Sequence, residues 1–567
     1  MSDTKRTILA GLLIGFLTLC IPFYLRLIGI MPESSDVVDE TLVQESETAV
    51  RPASIAFDSP VPEALPSKPV SSLNEGVILF SVVSDKYQAQ MSSVAGGSFV
   101  GFTMSGEQKD GYKYVGGYND LGEYDGSINL DLVLAENNGC SPCVTYDNIK
   151  ADNPFRVLSP SVYSGQVFNL YDSDSLVFVM EGSINGERIT KKTTFYADNY
   201  IIKHDYVLPP LGGPTFVLWD SGVRATEKNL YEELTYAQAY VGQSKEIGDI
   251  YLSPSGSLDV IEKETFSGKT DWVAIRNKYF INALVSQSAV GGTLEARSFQ
   301  LNNENFIPVY SVALKFNSPS ASVSQFFGPL DVDIISSSGT YLDRVMNFGW
   351  LPIQPFSRSV LWILKKLHLL GINYGIILIL FAFMIRVITG PLTKKSYQST
   401  QKMQTIQPQM KKIQEKYKND SQRLNREMMN LYKDSGVNPL GGCLPMLIQM
   451  PLLFSLFIVF RSTIEFRGAP FFWWINNLSQ PDTIFNLPFN IPIYGNQVAF
   501  LPIVLGISMF MTQKLSMATM DKNQKPMMYM MSAFFFLLFN SFPSGLNLYY
   551  TVYNFLNYFQ QRSIKAK

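Results

Sequence analysis

The sequence predicts a multi-pass α-helical membrane protein with six spans and a large antiparallel β-sandwich domain on the extracytoplasmic side. Three observations predict it: an apolar run near the N-terminus, a turn-rich stretch of short β-prone segments up to Phe316, and long apolar runs after Leu361. The bulk values average over these regions. A hydrophobic content of 46% and a net charge of -2 do not mark a nucleic-acid binder, and a mean hydropathy of +0.06 blends two different solvents.

Lys5 and Arg6 precede an apolar run from Ile8 to Leu25, about long enough to cross a bilayer. No small-x-small cleavage site follows it, and Leu19 before Cys20 is too bulky for lipoprotein-type processing. Residues 1–31 are therefore expected to remain as an anchor with the positive end in the cytoplasm. Residues 32–72 are rich in Ser, Pro, Val and acidic residues without a sustained period, as in a flexible linker.

Residues 73–340 form the expected β domain. Leu176 to Met180, an Asn185-Gly186 turn, Ile189 to Tyr196, an Asp198-Asn199 turn and Tyr200 to Val207 read as consecutive hairpins. Tyr200, Ile202, His204 and Tyr206 share one face of the last strand, which makes His204 a packed residue rather than a ligand. Cys140 and Cys143 form an isolated CxxC. With two histidines in the chain a zinc site has little support, which leaves a local disulfide or two loop cysteines without a role.

Residues 341–372 carry an interfacial helix from Pro355 to Leu370, with Val360, Leu361, Leu364 and Leu367 near one face and Lys365 and Lys366 off it. The core, 373–562, contains five spanning candidates: Asn373 to Gly390, Leu440 to Phe460, Val498 to Lys514, Met527 to Phe542 and Leu546 to Gln560. The last two are short, and the bilayer is expected to thin around them. Met509, Met511, Met517, Met520, Met527, Met528, Met530 and Met531 cluster near the inner ends of the fourth and fifth spans, either to accept many apolar sequences or to fill gaps in a loose bundle.

Residues 391–437 carry Lys394, Lys395, Lys402, Lys411, Lys412, Lys416, Lys418, Arg423, Arg426 and Lys433 against four acidic residues. Such an excess belongs in the cytoplasm. Six spans then put both termini inside, including the short basic tail 563–567. The basic segment reads as a helical hairpin, Lys394 to Tyr417 and Ser421 to Ser435, with Met403, Ile406, Met410, Ile413 and Tyr417 as its apolar stripe. It either stays solvated or contacts lipid headgroups, ribosomal RNA or a nascent chain.

Motifs for catalysis are missing. GxSxG and HExxH do not occur, and Ser267-Gly268-Lys269-Thr270 ends like a phosphate loop but has Lys263 where the leading Gly should stand. No enzyme, metal or cofactor is expected.

Arg386, within the first core span, is the residue most at odds with its surroundings, because a permanent charge is expensive in a bilayer. Counted from Pro391 it lies about 7 Å from the cytoplasmic end, so it either snorkels or faces a wet cavity. Asn547, Tyr550, Asn554 and Gln561 recur near one face of the last span, and Gln449 adds a polar group from another helix. These residues either line a groove or bond helix to helix.

Three motifs carry a resemblance: MIRVITGPLTKKSY around Arg386, EMMNLYKDSGVNPLGGCLPMLIQMPLLFSLF from Glu427 to Phe457, and FPSGLNLYY from Phe542 to Tyr550. The chain resembles the YidC/Oxa/Alb membrane-insertase family in its Gram-negative branch; WVAIRNKYF from Trp272 to Phe280 and FGWL from Phe348 to Leu351 match more weakly. The resemblance implies a five-helix insertase core with a hydrophilic groove open to cytoplasm and lipid, plus a periplasmic β-supersandwich, in the bacterial inner membrane. It implies insertion and folding of nascent membrane proteins, alone or with the Sec translocon, amid membrane lipids and without nucleotide. Arg386 would be the groove arginine and Tyr550 a substrate-contacting residue, whereas Ala382 stands where relatives often have a hydroxyl. The short tail, with Arg562, Lys565 and Lys567, implies at most weak or transient ribosome contact. The alternative reading is a small-anion transporter or channel built around Arg386, although no internal repeat is found.

Overall fold

The computed structural model describes residues 77–565 apart from 106–113, 120, 135–139, 147–148, 172–173, 185, 210–212, 254–260, 302–305, 337–340, 437–443, 492–493 and 518–524. The expected anchor 1–31, the linker 32–72, Cys20, Cys443, Met520 and the last two tail residues lie outside the described residues. The chain divides into two compact units, with a boundary between Val345 and Met346.

The first unit is built on sheets. A nine-stranded sheet runs Glu246–Ile250, Gln238–Gln243, Trp272–Arg276, Phe280–Val285, Ser320–Pro329, Ile201–Val207, Glu187–Tyr196, Ser175–Ile184, Arg156–Ser159 from edge to edge. A six-stranded sheet runs Ile261–Ser267, Gly291–Gln300, Phe306–Phe316, Thr215–Trp219, Cys143–Tyr146, Ile149–Lys150, and a four-stranded sheet runs Ser98–Met104, Tyr87–Ser92, Leu79–Val83, Gln166–Asn169. Both smaller sheets meet the same residue of the large one: the Phe102 ring stacks on Phe327 at 4.5 Å and Trp219 meets it edge-on at 5.4 Å. Large aromatic side chains dominate this layer because each removes much apolar surface from water, at roughly 25 cal/mol per Å².

The hairpins expected around 176–207 are present, and Ile202, His204 and Tyr206 are buried as predicted. His204 bonds Thr193 and Gln325 within the sheet. Two features depart from the sequence reading. Leu79–Val83 pairs in parallel with Gln166–Asn169, so the unit is not wholly antiparallel. Ser320–Pro329, beyond the expected last strand, sits centrally between Phe280–Val285 and Ile201–Val207; its alternation of Ser with Ala321 and Val323 is a weak hydrophobic signal. Cys140 and Cys143 are joined in a disulfide.

The second unit is helical. Helix α1, Gln354–His368, buries Ser357, Val360, Leu361 and Leu364 and exposes Trp362, in line with the expected amphipathic period. Helix α2, Tyr374–Thr405, is among the described residues the one helix long and apolar enough by itself to cross a bilayer. It runs through Pro391, where a stop was expected. Pro391 removes only the bond to the Val387 carbonyl, and Thr389 and Thr393 hydroxyls bond nearby carbonyls at 2.8 and 3.0 Å. The chain breaks instead at Ile406, because Pro408 favours the first turn of α3, Gln407–Lys416. Helix α4, Ser421–Asp434, completes the hairpin with Asp420 as its N-cap and Leu424 buried.

Helices α5, Leu444–Ser462, and α6, Phe500–Met517, are joined through a strand pair that the sequence reading missed, Thr483–Ile491 with Gly495–Ala499. Val498 thus belongs to a strand rather than to the span. The extended chain is held by buried Asn540, which accepts from Ala499 N and donates to the Tyr494 and Gln497 carbonyls. Helix α7, Lys525–Phe539, has 15 residues and is short as expected, about 22 Å at 1.5 Å per residue. Helix α8, Ser544–Lys565, has 22 residues, about 33 Å, and so continues beyond the expected end of the last span at Gln560 into the basic Arg562.

One buried cation in the sheet unit has a measurable consequence. Lys191 is fully buried and donates to the Gly97 and Pro142 carbonyls, the latter between the disulfide cysteines. Burial pulls its pKa down to about 7 from 10.5. Between those values the unfolded chain holds the proton and the folded chain does not, so stability rises with pH through that window, by on the order of 1 kcal/mol per pH unit. Hydrogen exchange of the Glu187–Tyr196 amides, corrected for intrinsic rate, should slow from pH 7 to pH 10 in the native chain. The slowing should vanish in Lys191→Met.

Candidate functional site

Helices α2 and α8 pack along a common seam. The Phe381 and Tyr549 rings lie 5.8 Å apart, the Arg386 guanidinium carbon lies 5.6 Å from the Tyr553 ring centroid, and Gln560 Nε2 reaches the Gly390 carbonyl at 3.3 Å. Numbers rise together on both helices, so α2 and α8 run parallel. The α8 residues on this seam follow helical steps of four and seven, which bring one side of a helix back to the same partner. Gly390 permits the last contact, because a Cβ there would lie 3.2 Å from Gln560 Nε2.

Arg386 is 6% exposed. One nitrogen, Nη1, reaches the Thr393 hydroxyl one α2 heptad further on at 3.5 Å, and the Tyr553 ring provides a negative π-face for the cation. Its Nε and Nη2 are buried, and the Tyr553 side chain is the neighbour within bonding reach of the guanidinium. Helix α2 continues past Pro391 to Thr405, and the guanidinium lies against α8.

The buried polar atoms without partners concentrate on the same helices. They include, on α8, Asn547 Oδ1, the hydroxyls of Tyr550 and Thr551, and Oε1 of Gln560 and Gln561, while the Tyr549 hydroxyl and the Gln449 side chain of α5 lie against each other. Buried polar groups in folded proteins are almost always bonded to protein or water, and those of this set lie mostly on α8.

The sequence-predicted residues divide among different duties. Arg386 lies against Tyr553, Gln449 lies against Tyr549, and Tyr550 contributes a buried hydroxyl without a partner among the described residues. Tyr550 also packs against Phe539 and Tyr549. Asn547 is fully buried and donates to the Phe539 and Phe542 carbonyls at 3.1 and 3.3 Å, which ties the start of α8 to the end of α7. Asn554 is half-buried, and its backbone carbonyl accepts from Thr512 of α6 at 3.4 Å. Gln561 Nε2 bonds Asn557. The α8 residue shown against Arg386 is Tyr553, which sequence reasoning passed over together with Tyr549, Gln560 and Thr393. Tyr549, Tyr553 and Gln560 obey the same helical spacing as the predicted stripe, so the signal was present but equivocal.

Residues 365–567 match the family model described as 60Kd inner membrane protein, and residues 149–363 match that described as YidC periplasmic domain. The membrane protein insertase YidC of Chloroherpeton thalassium is 39% identical over 394 residues, 66% of this chain and 66% of that one. The membrane protein insertase YidC of Chlorobaculum parvum is 38% identical over 411 residues, 69% of this chain and 68% of that one. The chain thus spans just under two thirds of the length of the former relative. A crystal structure of an active YidC insertase with its first transmembrane domain resolved has 18% identity and a TM-score of 0.33, covering 83% of this chain and 89% of that chain. The chain belongs to the YidC family of membrane protein insertases.

Proposed function

We propose that this chain inserts nascent membrane proteins into the bacterial inner membrane and helps them fold, through a polar groove formed by α2, α5 and α8. The observation that carries the reading is the buried Arg386 guanidinium of α2 lying against Tyr553 of α8, a helix that also buries Asn547, Tyr550, Thr551 and Gln561. A polar client segment crossing hydrocarbon costs about 2.5 to 3.5 kcal/mol per central charged residue on insertion scales. A wet groove shortens that crossing. The client's polar tail enters beside Arg386 while its apolar helix partitions into lipid along α5 and α7, and apolar burial supplies the driving force without nucleotide. No bond is broken, and no cofactor is needed.

The topology in this reading has six spans, both termini inside and the sheet unit periplasmic. The parallel run of α2 and α8 supports it, since α5, α6 and α7 crossing between them bring α8 back in the direction of α2. The basic α3–α4 hairpin and Arg562 then share the cytoplasmic side. The chain works alone or beside the Sec translocon, with weak or transient ribosome contact through its short tail. Residues 73–340 form the periplasmic domain, 341–372 the interfacial segment and 373–562 the insertase core.

Reporter fusions after Lys418 and after Ala566 should both report cytoplasm; a periplasmic signal from either contradicts the topology. Deletion of the sheet unit should leave insertion measurable, because the groove residues all follow Met346. The cut must run from Gly76 to Val345: ending it earlier would strand Phe306–Phe316 and Ser320–Pro329 without their sheet partners. Complete loss of insertion in a stably expressed deletion would refute the division of labour.

Insertion of matched clients whose translocated tails differ only by Asp-to-Asn changes tests Arg386 in liposomes containing the purified chain. Arg386→Ala should slow the acidic client about tenfold or more, the equivalent of losing one charge-assisted hydrogen bond. Arg386→Lys should retain part of the rate, keeping the charge and losing the planar fork. The neutral client should change less. Equal slowing of both clients by Arg386→Ala would make Arg386 a structural residue.

A further inference from the structure

The extracytoplasmic end of the helical unit carries an apolar surface that the client groove does not use. Phe472, Trp473 and Trp474 form a ridge of successive rings, with Phe472 and Trp473 stacked at 4.5 Å and Trp473 76% exposed. Ile484, Phe485 and Phe489, on the strand Thr483–Ile491, are also exposed, Phe489 at 60%. The ridge and the strand pair are joined through the start of α6, because the Trp474 ring meets Phe500 edge-on at 5.0 Å.

This surface is rigidly held, as a fluctuating loop is not. Asp482, itself buried, accepts from Trp474 Nε1 at 3.3 Å and from Leu501 N at 2.8 Å. Asn540, from the end of α7, fixes the second strand through three backbone bonds. Asn373 Nδ2, just before α2, donates to the Pro470 carbonyl at 2.7 Å. A Cβ on Gly375 would lie 1.9 Å from the Phe471 ring, so glycine lets that ring seat directly against α2. The ridge is thus bolted to the ends of α2, α6 and α7.

Composition identifies the occupant. From Gly468 to Gln513 the chain has one charged residue, the buried Asp482, against 17% charged residues overall. A surface built to pair with a soluble protein or to face water carries a polar, charged rim. Uncharged aromatic surface immediately at the ends of spanning helices is the composition that membrane interfaces select, where amphipathic indoles sit at headgroup level. We propose that the Phe472–Trp474 ridge and the strand bearing Ile484, Phe485 and Phe489 lie in the headgroup and upper acyl region of the extracytoplasmic leaflet, fixing that end of the bundle at a set depth in lipid.

The proposal rests on membrane placement of the family and not on client binding, so its failure would leave the Arg386 reading standing. The test uses the full chain in phosphatidylethanolamine/phosphatidylglycerol vesicles, with Cys20 and Cys443 replaced by Ser and a nitroxide attached at Phe485→Cys or Phe489→Cys. Collisions with oxygen, which dissolves in lipid, and with a water-soluble nickel chelate are compared with those at Tyr163→Cys, an exposed position of the sheet unit. The expected result is strong oxygen broadening with loss of the nickel effect at both strand positions. Nickel accessibility equal to that at Tyr163→Cys would put the surface in water, and shielding from both reagents would put protein on it; either overturns the proposal. As a second measurement that leaves the strand intact, Trp473→Phe should remove part of the fluorescence quenching caused by brominated-chain lipids, and unchanged quenching would overturn it as well.

Discussion

A permanent cation held inside an apolar helix bundle is the constraint around which the helical unit is organised. Arg386 cannot be neutralised in the way a buried lysine can, so its surroundings must supply compensation. The Tyr553 ring and the Thr393 hydroxyl provide part of it. Helix α8 buries further polar side chains, Asn547, Tyr550, Thr551 and Gln561. Apolar substitution of these groups would produce a tighter bundle.

The seam that presents Arg386 depends on contacts far from it. Asn547 ties α8 to the end of α7, Asn540 ties α7 to the strand pair before α6, and Asn373 ties the start of α2 to the segment after α5. Each of these amides bonds backbone groups that helix or strand termini would otherwise leave unsatisfied. One end of the bundle is therefore stitched by side chain to backbone bonds, while the seam toward the other end is made by ring contacts and a single glutamine.

The sheet unit solves a different problem in a different solvent. Its core is filled by aromatic residues from three sheets, and buried polar groups there are bonded at Lys191, on two carbonyls, and at His204, between Thr193 and Gln325. Glu233, also fully buried, has its pKa raised to about 7 by desolvation although Thr226 and Glu227 backbone groups donate to it. Its contribution to stability is present below the ordinary carboxylate range and is lost as pH rises through about 7, opposite in sense to that of Lys191.

What the sequence determined by itself was set by periodicity and by the expense of misplaced charge. Alternation in Tyr200 to Val207 predicted the buried face with His204 in it, the apolar steps in Val360 to Leu364 predicted the buried side of α1, and Arg386 stood out because no apolar helix carries such a residue cheaply. The long motifs around it specified the family. Tertiary structure alone decided matters that depend on partners distant in the chain. Pro391 lies inside a continuous helix because neighbouring contacts outweigh one lost backbone bond, and Ser320–Pro329 is central because strands from two earlier hairpins flank it. The strand pair before α6 is extended because Asn540 bonds its backbone from another helix. The choice of Tyr553 over Asn554 or Tyr550 beside Arg386 rests on how α8 is rotated against α2. Helical spacing permits either stripe, and only the packing of Phe381, Gly390 and their partners selects one.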